Sequence, residues 1–60
     1  MIAKDIRNGD KIVHPATGVI VRVDIVHMDD TLHVAYCYFS DRTPGNDAFP
    51  LGYTCPVTKI

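Results

Sequence analysis

The side chains best suited to metal ligation or nucleophilic chemistry in this sequence are His14, His27, His33, Cys37 and Cys55. His14 precedes Pro15 in the stretch NGDKIVHPATG, and its nearest acid by strand parity is Asp10, which belongs to no motif that would orient an imidazole as a base. Cys37 lacks a recognisable base and orienter. His27, His33 and Cys37 are zinc-ligand types. In the hairpin register argued below, however, His27 faces away from His33 and Cys37, so the three make a poor tetrahedral site. The expectation is no catalytic residue, no metal and no cofactor. His14 is then a turn-lining residue whose exchange for Gln is nearly silent. Gly18, free to take the positive φ of a tight corner, is the position where Val should cost stability.

The elements that would carry these residues are short strands. All seven acids are Asp, Glu and Gln are absent, and Leu occurs only at positions 32 and 51, so surface helix formers are scarce. Six Ile, seven Val and five Thr supply the β-branched side chains that suit a pleated sheet. MIAKDIR reads as a short arm anchored by Ile2 and Ile6, Asn8-Gly9-Asp10 as a tight turn, and Lys11 to His14 as a first strand. After the His14–Gly18 corner, Val19, Val21, Val23 and Ile25 fall on one face of a period-two pattern and are the expected core. Asp29-Asp30 marks a hairpin. Closing it at Met28 and Thr31, or at His27 and Leu32, sets Ile25 opposite Val34 and Val23 opposite Tyr36. A third strand over 32–39, an exposed loop SDRTPGND, a fourth strand over 48–51, a turn at Gly52–Cys55 and a last strand over 56–60 complete the chain. These elements predict an all-β, SH3-like five-stranded barrel occupying residues 1–60 as a single domain.

Composition sets further bounds. Apolar residues make up 47% and charged residues 22%, a globular balance in a chain near the lower size limit for independent folding. The net charge of −1 lacks the basic excess of a phosphate-backbone binder. No apolar stretch is long enough to span a bilayer, and MIAKDIRNGD contains no apolar signal segment, so no membrane partner and a cytoplasmic location are expected. Cys37 and Cys55 then read as reduced, buried or half-buried thiols.

The stretch GDKIVHPATGVIVRV resembles the opening hairpin of Tudor-like, SH3-fold domains in bacterial transcription and repair. Those include the CarD-type RNA polymerase interaction domain and the C-terminal Tudor-like domain of UvrD-type helicases. Gly9, Asp10, Val13, His14 and Gly18 carry the resemblance, while Ile20 stands where those domains often have a second glycine. KOW-type ribosomal modules approach the same motif. The resemblance implies a non-catalytic docking module for RNA polymerase or another protein in a bacterial or phage setting, and it transfers no contact residues. Type II dihydrofolate reductase, an SH3-like enzyme with a pore built from four copies, is the catalytic alternative. Its Val-Gln-Ile-Tyr motif has no counterpart in a chain without Gln.

In the expected register Tyr36 and Tyr38 pack inward, and Val26, Cys37 and Phe39 form an apolar surface for a protein partner or a second copy. Arg22 and Arg42 flank it, and with Lys11 and the aromatics they define the alternative of an RNA- or DNA-binding surface.

Overall fold

The computed structural model describes residues 1–40 and 48–60. A 3₁₀ turn, Ala3–Asp5, precedes four strands: β1 (Lys11–Val13), β2 (Ile20–Asp29), β3 (Val34–Phe39) and β4 (Phe49–Gly52). They pair antiparallel in chain order to give an all-β, four-stranded sheet curled into a half-barrel. Among the described residues there is no α-helix.

The segment expected as a fifth strand is not one. Its residues divide their hydrogen bonds between two partners. Val57 exchanges backbone bonds with Met1, whereas Val13 N–H donates to Thr58 O and Ile60 N–H to Lys11 O. Pro56 has no N–H to contribute, so only isolated bridges, Ile2 to Pro56 and Ile12 to Lys59, remain. The arm is held by the same segment, and its buried anchors are Ala3 and Ile6, with Ile2 exposed.

Both glycine turns lie where the sequence places them. At the first corner, His14 N–H donates to Val19 O and Gly18 N–H to His14 O, with Gly18 at φ +77°. A Cβ there would meet open space, so the expected penalty for Val at this position comes from the backbone alone. Gly52–Cys55 is a single turn closed by Cys55 N–H to Gly52 O.

The central hairpin differs from expectation. Asp29 pairs with Val34, Met28 with Ala35, His27 with Tyr36, Val26 with Cys37 and Ile25 with Tyr38. The cause is local: Asp29 Oδ1 accepts from the N–H groups of Thr31 and Leu32, both at 3.0 Å, which places the turn at residues 30–33. His33 completes it in the left-handed region at φ +54°. A second shift follows, because Val23 pairs with Phe39 and leaves Asp24 as an extra residue in β2. This bulge is held from the opposite edge of β2. Gly9 N–H donates to Val23 O, Val23 N–H to Asp10 O, and Val26 N–H to Asn8 Oδ1 at 2.9 Å.

The bulge exchanges the two faces of β2. Before it, Val21 and Val23 are buried; after it, Val26 and Met28 turn to the core and Ile25 is 56% exposed. Val19, also expected inside, is exposed. On β3 the buried residues are Ala35, Cys37 and Phe39, and they pack with Ile6, Ile12, Val21, Val23, Leu51 and Val57. Replacing Asn8 with Ala removes the acceptor for Val26 N–H and should lower stability by about 1 kcal/mol, with Asp at the same position retaining most of it. Urea unfolding of the two variants checks this, and an Ala variant as stable as the parent would contradict it.

Candidate interaction face

The apolar surface expected of Val26, Cys37 and Phe39 is corrected by burial. Cys37 is 0% and Phe39 6% exposed, and Val26 packs half-buried against them. The displaced hairpin and the bulge are the reason, since together they turn these three side chains to the interior. A Phe39→Asp substitution would therefore disrupt the core rather than probe a surface. Arg22 is exposed and forms an ion pair with Asp24 at 3.1 Å. Arg42 lies outside the described residues, as does the SDRTPGND loop beyond Ser40.

The outer face of the sheet carries a different set. Ile25 stands directly across from Tyr38, His27 from Tyr36, and Tyr36 from Pro50. Ile25, His27, Tyr38 and Pro50 are exposed and Tyr36 is half-buried. Lys11 and Arg22, paired across β1 and β2, continue this face at one end beside Asp24, and Asp29 ends it at the other. Sequence reasoning missed this row because it carried one alternation through Asp24. A polar residue inside the Val-rich run, and two tyrosines alternating with Ala35, Cys37 and Phe39, were the available signals.

The groups with chemical potential are dispersed. His14 sits at the first corner, where its Nδ1 accepts from Ala16 N–H at 3.1 Å. Its ring lies 4.8 Å from Phe39 and 4.7 Å from Phe49, centroid to centroid. It lines the turn and also caps one end of the core, a ring contact that Gln at this position would lose. His33 is at the hairpin tip, edge-on to the Tyr53 ring, and His27 is on the outer face. Among the described residues, no three His, Cys or Asp side chains converge as a metal site.

Tyr53 joins the two ends of the chain's second half. Its hydroxyl donates to Asp30 Oδ1 at 2.6 Å, and its N–H donates to His33 O. The hydrogen bond to Asp30 is the main cause that pushes the phenol up from 10.0 to about 12, with burial and the Asp30 and Asp29 charges adding to it. Burial alone pushes the Cys37 thiol up to about 11. Cys55 is half-buried, and both thiols are free.

Two outcomes follow from these surroundings. In the native chain a thiol reagent should modify Cys55 and spare Cys37 until denaturant is added; equal labelling of both under native conditions would contradict the packing. Because the folded Tyr53 phenol ionises above its unfolded value, its contribution to stability is complete below about pH 10 and lost between about 10 and 12. Thermal unfolding across that range should show the loss, and Tyr53→Phe should flatten it. An identical alkaline profile in the Phe variant would count against the Asp30 contact.

Compared with known proteins, the chain matches no family model, no curated protein and no solved structure.

Proposed function

We propose that the chain is a small, non-catalytic protein-interaction module of SH3-like form that docks through the outer face of its sheet. The observation that carries this reading is the row Ile25–Tyr38 and His27–Tyr36–Pro50, exposed across three strands except for the half-buried Tyr36 and turned outward by the bulge at Asp24. Aromatic side chains with apolar neighbours are the composition enriched at protein interfaces. Their hydroxyl and imidazole groups let such a row remain in water when it is unbound. The SH3-like assignment is supported by the curled sheet and by residues 58–60, which hydrogen-bond along β1 through an isolated bridge. The resemblance at Gly9–Gly18 adds RNA polymerase as one candidate partner and a bacterial or phage cytoplasm as the setting.

A second reading is favoured by one feature of the same face. Lys11 and Arg22 stand in line with Tyr38, Tyr36 and His27, and a single nucleic acid strand could stack on the rings with its phosphates on the cations. The acids at the hairpin tip and the net charge of −1 weigh against it.

No helix among the described residues is long and apolar enough to cross a membrane. The test is capture of partners from a bacterial lysate by the parent chain and by an Ile25→Asp variant, with circular dichroism confirming that the variant is folded. A protein bound by the parent and lost by the variant supports the reading, and identical captures would contradict it. Labelled RNA bound at low salt and released steeply as salt rises would move the assignment to the second reading.

A further inference from the structure

We infer that Asn8-Gly9 is a self-modification site, a pair able to close into a succinimide and reopen as isoaspartate, which the folded chain guards with the two hydrogen bonds that fasten the bulge at Asp24. The chemistry is supplied by the residue pair. Asn followed by Gly lets a backbone nitrogen reach the preceding carboxamide with least obstruction, because glycine has no Cβ to hinder the approach. Both residues are exposed, so water has access to them.

The step balances with water as its only co-reactant. The Gly9 nitrogen attacks Asn8 Cγ, the N–Cγ bond forms and the Cγ–Nδ2 bond breaks. The displaced amide nitrogen leaves as ammonia, taking up the Gly9 amide proton. Water then adds to one of the two imide carbonyls. Opening at Cγ leaves an aspartate at position 8. Opening at the main-chain carbonyl leaves an isoaspartate, whose backbone runs through Cβ and Cγ and is one carbon longer.

The fold holds both reacting groups away from that step. Gly9 N–H donates to Val23 O at 2.6 Å, which keeps solvent base from the proton that must be lost before attack. Asn8 Oδ1 accepts from Val26 N–H at 2.9 Å, so the carboxamide is fixed toward β2. Asp10 braces the turn: its N–H donates to Arg7 O at 3.1 Å, and its Oδ2 accepts from Arg7 N–H at 2.9 Å. Reaction therefore requires the turn over 8–10 to lift from β2 in a local opening. The isoaspartyl product cannot settle back. Its longer main chain misplaces Gly9 N–H and Asp10 O against Val23, and its carboxylate no longer sits where Val26 N–H needs an acceptor. The modification thus records an opening and makes it permanent, releasing the bulge that separates the two faces of β2.

Timed incubation at a fixed, mildly alkaline pH tests the inference, read by mass spectrometry with chromatographic separation of isoaspartate from aspartate. In guanidinium chloride Asn8 should convert mainly to isoaspartate. In native buffer the rate should fall by roughly tenfold or more, since only the open fraction of the turn reacts. Asp10→Ala loses the side-chain brace but keeps the Asn-Gly pair. It should speed conversion several-fold in native buffer and leave the rate in denaturant unchanged. In the isolated isoaspartyl chain, Val26 N–H should exchange with deuterated water faster than in the parent. Equal rates in native buffer and denaturant, or a folded Asp10→Ala chain as slow as the parent, overturn the guard. No conversion in denaturant overturns the site, and a Val26 amide equally protected in the isoaspartyl chain overturns its hold on the bulge. Should Asp10→Ala fail to fold, the two rates of the parent and the Val26 amide still decide the matter.

Discussion

One extra residue in β2 determines which side chains this protein hides and which it offers. With Asp24 bulged, the strand buries Val21 and Val23 before the irregularity and turns Val26 and Met28 inward after it. Without it, a single alternation would carry Ile25 into the core and Val26 out. The bulge is fastened from the neighbouring edge by the Asn8–Asp10 turn, whose backbone pairs with Val23 and whose Asn8 amide oxygen takes the Val26 N–H. That N–H would otherwise lose its protein partner where the ladder breaks. The curl of the sheet, the composition of the core and the exposed aromatic row all follow from this junction.

A core of this size has little margin, and its two ends are closed by different chemistry. At one end the imidazole of His14 packs against Phe39 and Phe49, with its Nδ1 committed to Ala16. At the other end Tyr53 reaches from the C-terminal turn to the hairpin tip and hydrogen-bonds Asp30. Lys4 extends over the same ring, 5.5 Å from its centroid, and so ties the N-terminal turn to that end. Side chains that a sequence search flags as chemically able are thus employed in structure here. Among the described residues the outer face carries no such closure.

The strand content, the two glycine corners, the Gly52–Cys55 turn and the antiparallel order were legible in the sequence, because β-branched residues and Gly or Pro act locally. The hairpin register was not. It depended on whether Asp29 would spend its carboxylate on the backbone of Thr31 and Leu32, a choice that moves the turn without changing any apolar pattern. The bulge depended on Asn8, 18 positions from its partner Val26, and no local rule connects those two residues. Those two unread contacts interchanged inside and outside for Cys37, Phe39, Tyr36, Tyr38 and Ile25. The expected surface became core for that reason, and half of the expected core became surface.

Cross-strand nuclear Overhauser effects in the folded chain measure this arrangement most directly, since opposed residues on antiparallel strands bring their protons close together. The account predicts contacts between Ile25 and Tyr38, Val26 and Cys37, and Val23 and Phe39. Contacts placing Val23 opposite Tyr36 and Ile25 opposite Val34 would contradict it, returning Cys37 and Phe39 to the surface and removing the bulge on which the face depends.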